Sequence, residues 1–406
     1  MSGMSLRDDY PYAQDLKSIC KGLSEYIRVL PSNSGEFQLT YFNNLVYDGS
    51  RVFERTKPDT FPSCSTFSDY YHFLLHTARA LGTNANYPDR KHSIGQLTSI
   101  SSGYDSIASS VVAMQAGCRE AATIKQSTSL WRGSDSGADV AKLLGMGCRE
   151  VDRTAGYYPH EETIWSVVGR PGVMNWALMD YSEPLCLFFT GCHGDKVWDP
   201  KPSEISDPFV IPSVADLGIG EFRLFKGIVH CPVPFWGMRH VRKIKEIGRL
   251  NEMKPWTLNT DYDRPIPRKI IEEAGVLRGS FAVWKKNTAH EAVFLWPYSP
   301  EISDRFAAFL KMRGLSVPPL WLVKVIRWAA FLDNLFYSNV KSKLGLKKGR
   351  RPWDRLAGPS LLFQWANDSL KKNYERGFEA AGAQPDSRQA MNRGGIKPKG
   401  CESCEP

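Results

Sequence analysis

Between residues 91 and 200 short apolar runs alternate with stretches of helical periodicity, and no other feature narrows the fold as far. Leu97-Thr98-Ser99-Ile100 reads as a buried strand, Ile107 to Ala116 as a helix, and Ala121-Ala122-Thr123-Ile124 as a second strand. Ala138 to Leu144 reads as a second helix, and Pro184 to Thr190 as a third, strongly apolar strand. Strands separated by helices form βαβ units, so the expected class is α/β, a parallel sheet flanked by helices.

The rest of the chain divides around that region. Residues 1–90 mix strand-like pieces, such as Glu36 to Phe42, with a helix-like segment from Tyr70 to Leu81, an α+β N-terminal extension of unclear role. The turn-prone stretch Gly82 to Pro88 marks a boundary, and 91–300 is the expected α/β domain. Residues 301–381 read as a helical basic and aromatic region, and the Gly-, Pro- and Lys-rich 382–406 as a disordered tail. With 42% hydrophobic residues the chain can build a real core, which excludes wholesale disorder. No run of about 18 residues is free of charge; Leu315 to Leu332 is broken by Lys324 and Arg327. The N-terminus has no apolar core of a signal peptide. Nine cysteines, an odd number in apolar settings such as Leu185-Cys186-Leu187, suit reduced thiols and a cytoplasmic setting. Cys401-x-x-Cys404 has metal- or redox-like spacing but no second pair beside it.

The net charge of +9 is concentrated. Lys341, Lys343, Lys347, Lys348, Arg350, Arg351 and Arg355 crowd residues 341–355 with only Asp354 opposing them, and Arg239, Arg242, Lys243 and Lys245 form a second run. Such runs serve an anionic partner, nucleic acid or a membrane surface, or simply a solvated face. Upstream, the apolar positions 321, 325, 328, 332, 335 and 336 repeat at helical spacing. A helix packed on the core is the simpler account of that repeat, and a membrane- or partner-docking segment over 315–356 is the alternative.

After the first strand of the α/β region comes Ser101-Ser102-Gly103-Tyr104-Asp105-Ser106, and then a helix. A small-residue turn from a strand into a helix N-terminus collects N–H groups and the positive end of the helix dipole, so it suits phosphate. Hydroxyls of Ser101, Ser102 and Ser106 are expected to add donors. Asp105 would repel phosphate unless Mg²⁺ bridges the two; helix capping by Ser101 or Asp105 is the structural alternative.

This loop resembles the S-G-G-x-D-S pyrophosphate loop of the ATP pyrophosphatase superfamily, with Ser102 at the family's first glycine. Three further segments stand in the order seen in the synthetase domain of asparagine synthetases. Thr190-Gly191-Cys192-His193-Gly194-Asp195-Lys196 resembles the second Gly- and Asp-bearing turn, with Cys192 in place of an acid and Lys196 in place of Glu. Glu221 to Gly227, continued by Val233-Pro234-Phe235-Trp236, is similar to the R…G…P-F segment. Arg264 to Ala274, followed by Trp284-Lys285-Lys286, is similar to the late helix and its phosphate-contacting lysine; the alignment leaves Lys285 and Lys286 both open. The resemblance covers about residues 91–290.

What it implies is an adenine nucleotide alpha-hydrolase-like sheet using ATP and Mg²⁺. ATP or pyrophosphate would meet Ser101, Ser102, Gly103, Tyr104, Ser106, Ile124, Gly191 and His193. Asp105 and Asp195 would hold the metal, and these two with Lys286 and Lys196 would be the catalytic set. Arg223 and Arg268 would bind substrate, a small-molecule or peptide carboxylate. The implied reaction is adenylation with release of pyrophosphate, then amide formation. The glutaminase domain of those enzymes uses an N-terminal cysteine; position 2 here is Ser and the first cysteine is Cys20, so nitrogen would come from ammonia, a substrate amine or a separate glutaminase. ATP-dependent sulfur transfer to RNA or a small molecule, with Cys192 or Cys231 as carrier, is the rival within the superfamily.

Overall fold

The computed structural model describes residues 6–7, 9–125, 136–151, 160–166, 183–201, 207, 209–210, 225–260, 262–281, 296–336 and 359–380. After a short helix α1 (Tyr12–Leu16) come two antiparallel hairpins, β1 (Val29–Ser32) with β2 (Gly35–Gln38) and β3 (Asn44–Tyr47) with β4 (Val52–Arg55). Of the expected strand over Glu36 to Phe42, the part up to Gln38 lies in β2, and Leu39 N continues the pairing to Arg28 O at 2.7 Å. Helix α2 (Phe67–Ala85) opens on a capping box. Thr66 Oγ1 accepts from Asp69 N at 3.1 Å, and the Asp69 carboxylate accepts from Thr66 N at 3.0 Å. The helix continues through Gly82-Thr83-Asn84, where a turn was expected. Gly82 is a packing contact there: a Cβ would lie 2.7 Å from the carbonyl carbon of Ala116.

Five parallel strands follow: β5 (Ile94–Ser99), β6 (Glu120–Ile124), β7 (Gly147–Val151), β8 (Leu185–Thr190) and β9 (Ile228–Pro232). Their order across the sheet is β7-β6-β5-β8-β9, so the first strand lies in the middle and the direction of growth reverses between β5 and β8. Ala121 to Ile124 and Cys186 to Thr190 are buried at every position. Successive side chains on a strand point to opposite faces, so both faces of the sheet are covered. The two strands absent from the sequence reading, β7 and β9, are the edges. In β7, Arg149 lies 3.6 Å from Glu120 on β6 and the strand is largely exposed, so no apolar run announces it.

Helix α3 (Tyr104–Met114) packs on β5 and β8, and α4 (Ala138–Leu143) on β7. The short helices α5 (Glu162–Trp165), α6 (Gly194–Val197) and α7 (Val241–Ile247) are followed by α8 (Pro265–Glu273), which lies along α3. Leu74 and Ala78 of α2, Val112 of α3, Phe189 of β8 and Ile270 of α8 share one core.

The last three helices are α9 (Pro300–Met312), α10 (Leu320–Phe336) and α11 (Pro359–Ala380). Trp165, Trp296, Phe306, Val323 and Trp365 form their core, and Phe363 of α11 joins Tyr12, Tyr26 and Leu30 from the start of the chain. Buried Glu161 holds the entry to α9, its carboxylate accepting from Tyr298 N at 2.7 Å and Ser299 N at 2.9 Å, while Ser299 caps the helix. Burial raises this carboxyl above its ordinary range while the backbone N–H groups oppose the rise.

The packed-core account of positions 321, 325, 328 and 332 is corrected: all four are exposed, because α10 buries its opposite side through Val323. The basic stretch 341–355 and the tail 382–406 lie outside the described residues. Among the described residues all seven cysteines are free, and no helix is long and apolar enough to cross a membrane.

Candidate functional site

The carboxyl end of β5 runs through Ile100 into Ser101-Ser102-Gly103, and α3 starts at Tyr104 with Gly103 as its extended N-cap residue. This strand–turn–helix gathers first-turn N–H groups at the carboxyl edge of the sheet. Two of the expected hydroxyl donors are spent within the turn. Ser101 Oγ and Ser106 Oγ are 2.7 Å apart, and Ser106 Oγ accepts from Ser101 N at 3.1 Å. Ser106 Oγ donates to Gly103 O at 3.2 Å, and Gly103 N donates to Ser101 Oγ at 3.2 Å. These two serines therefore brace the loop, and Ser102 between them is half-buried.

Tyr104 and Arg268 also depart from expectation. The Tyr104 ring is buried, 5.0 Å from the Tyr262 ring and 5.7 Å from that of Phe281. Its hydroxyl accepts from Arg268 Nη2, and Arg268, itself buried, lies 3.3 Å from Glu272. Together they form a polar anchor between α3 and α8 beneath the loop, so Arg268 acts on the site through Tyr104. Burial raises the Tyr104 phenol above its ordinary range, and the guanidinium opposes the rise.

The second turn, Gly191-Cys192-His193-Gly194, leaves the carboxyl end of β8, the neighbour of β5, and is pressed onto the first. A Cβ on Gly191 would lie 2.6 Å from both Asp105 O and Ser106 N, and one on Gly194 2.6 Å from Asp105 Oδ1. These glycines let the Asp105 carboxylate and the start of α3 sit against the second turn. His193 has φ 62°, in the left-handed region, and its ring stacks on Phe235 with centroids 4.6 Å apart. Burial pushes its imidazole down to about 4, so it is neutral at pH 7 and brings no charge to a phosphate. Asp195 and Lys196, in the first turn of α6, are exposed. Thr190 Oγ1 lies 2.6 Å from His230 Nε2 on β9.

Ile124 ends β6 and is buried. Arg223, Lys285 and Lys286 lie outside the described residues. The segments that the resemblance picked out otherwise converge: the two turns touch, Phe235 holds His193, and α8 lies along α3.

Tyr262 and Gly137 are participants that the sequence does not mark, and Arg264 has a role beyond opening the late-helix segment. The Tyr262 hydroxyl is 3.8 Å from where a Cβ of Gly103 would be; burial raises this phenol and nearby Asp105 adds to the rise. Gly137, just before α4, leaves room for only 2.8 Å between a Cβ and Ser101 N, while its N–H donates to Thr123 Oγ1 at 2.9 Å. Buried Arg264 pairs with Asp199 at 2.9 Å, tying the start of α8 to the segment after α6. Nothing local marks Tyr262 or Gly137, because their reason is contact with residues far away in the chain.

Among the described residues no group of three or more His, Cys, Asp or Glu side chains is placed to hold a metal. Asp105 lies against the second turn, and Asp195 follows that turn, exposed, in α6. Comparison of the chain with known family models and with curated proteins finds no match.

Proposed function

We propose that the chain is an ATP-dependent ligase of the adenine nucleotide alpha-hydrolase type, activating a carboxylate as an adenylate and converting it to an amide. One observation carries the reading. Two small-residue turns, chosen from sequence 85 residues apart, meet at the carboxyl ends of β5 and β8, where the strand order reverses. In open α/β sheets that crevice is where ligands bind.

In this reading the triphosphate lies over Ser102 and the first turn of α3, with the adenine towards Ile124. A substrate carboxylate oxygen attacks the α-phosphorus, the bond to the bridging oxygen breaks, and pyrophosphate leaves. Ammonia or an amine then displaces AMP from the acyl-adenylate. Asp105 and Asp195 would hold Mg²⁺, which offsets charge on the departing pyrophosphate. Lys286, or Lys285, would serve the same end. Ser101, Ser106 and the Tyr104–Arg268 anchor keep the loop in one shape, which is what in-line displacement requires.

The test is ATP/pyrophosphate exchange screened over candidate carboxylic acids, with Asp105→Ala as control. Acid-dependent exchange that falls by about 10² or more in the variant supports the site; exchange unchanged in the variant removes it. Cys192, half-buried between the two contact glycines, gives sulfur transfer its one specific support. A Cys192→Ser variant that keeps pyrophosphate release but loses product would favour that chemistry.

A further inference from the structure

Helix α10 carries an apolar stripe that is exposed among the described residues. Trp321 is 65% exposed, Val325 55%, Trp328 68% and Leu332 40%. At about 100° per residue these four fall within an arc of about 60°, while buried Val323 lies nearly opposite Trp321. A solvent-facing row of two tryptophans and two aliphatic residues is far from the scattered single apolar residues of an ordinary surface.

Charge on the helix and after it in the sequence points to the occupant. Lys324, exposed, borders the stripe. Arg327, the helix's other cation in this stretch, is turned inward: its guanidinium reaches the carbonyls of Trp296 and Pro297 and stacks 4.0 Å over Tyr298. The sequence beyond the end of α10 carries seven Lys and Arg residues in positions 341–355 against the single Asp354. A protein partner with an apolar groove would need no such excess. Indole rings favour the boundary between headgroups and acyl chains, and clustered cations favour anionic lipid, so the two features together select a membrane surface. No helix among the described residues is suited to span the bilayer, so contact would be with one leaflet only.

We propose that the Trp321–Val325–Trp328–Leu332 face of α10 docks on the surface of an anionic membrane, lying in its plane. This is independent of the chemistry proposed for the turns around Asp105.

The experiment is co-sedimentation of the full chain with vesicles of phosphatidylcholine alone and of phosphatidylcholine with phosphatidylserine, at low and high salt. Binding to the anionic vesicles is expected, weakened by salt and much weaker on the neutral ones. The double variant Trp321→Ala/Trp328→Ala should partition on the order of tenfold or more less, from the lost apolar burial. Because both rings are exposed, its melting temperature should match that of the wild type, which separates lost docking from lost folding. Wild-type protein left in the supernatant with anionic vesicles overturns the proposal, as does a double variant that sediments like the wild type. A dimer in analytical ultracentrifugation that the double variant abolishes would assign the face to a second copy of the chain and overturn it equally.

Discussion

Gly191→Ala probes the contact on which the candidate site depends. The added Cβ would lie 2.6 Å from Asp105 O and 2.6 Å from Ser106 N, both main-chain atoms at the start of α3. Ordinary contact needs about 3.5 Å, so the turn after β8 and the first turn of α3 must separate by roughly 1 Å. No flexible side chain can absorb that shift. Overpacking of this kind costs about 1–3 kcal/mol, a fall in melting temperature of roughly 3–10 °C for a domain of this size. If the turns form the nucleotide site, a displacement of about 1 Å also lowers exchange by about 10². Gly279→Ala is the matched control, since a Cβ there meets nothing within 4 Å. Differential scanning calorimetry of both variants decides the matter. A Gly191→Ala protein that melts with the wild type and Gly279→Ala would refute the close approach.

Gly194→Ala should strain the same approach, because its Cβ would lie 2.6 Å from Asp105 Cβ, an atom that no side-chain rotation moves. A stability loss of about 1–3 kcal/mol is expected together with a clear loss of exchange, and a variant that melts with the wild type would count against the contact. His193 titrates near 6.5 when unfolded and near 4 when buried, so its protonation favours the unfolded chain. Stability is then complete above pH 6.5 and falls by at most about 3 kcal/mol as pH drops towards 4. His193→Asn, which tolerates the left-handed backbone, should flatten that part of the urea-denaturation profile, and an unchanged profile would assign it to another group. Arg268→Ala removes a buried cation from Tyr104 and Glu272 and should cost about 2–4 kcal/mol. Arg278→Ala takes an exposed partner from the same Glu272 and should cost under 1 kcal/mol; chemical denaturation giving similar values for the two would refute the anchor.

Much of the fold was legible along the chain because the central strands of a parallel sheet are buried on both faces. Ala121 to Ile124 and Cys186 to Thr190 read as near-continuous apolar runs for that reason. The edge strands were not legible, since β7 and β9 each need only one partner and leave side chains in water. Of the candidate site, the two turns were visible as short Gly-bearing segments following apolar strands. The roles of their side chains were not. Ser101 and Ser106 look like phosphate donors in one dimension and are cross-braces in three. Tyr104 and Arg268, 164 positions apart, look like surface ligands and are a buried pair. The row at 321, 325, 328 and 332 shows the division most plainly. Its periodicity already determined a helix with one apolar side, because hydrogen bonding within a helix is local. Which way that side faces was decided only when Val323 joined Trp296 and Phe306 in the interior, because orientation depends on what the rest of the chain brings alongside.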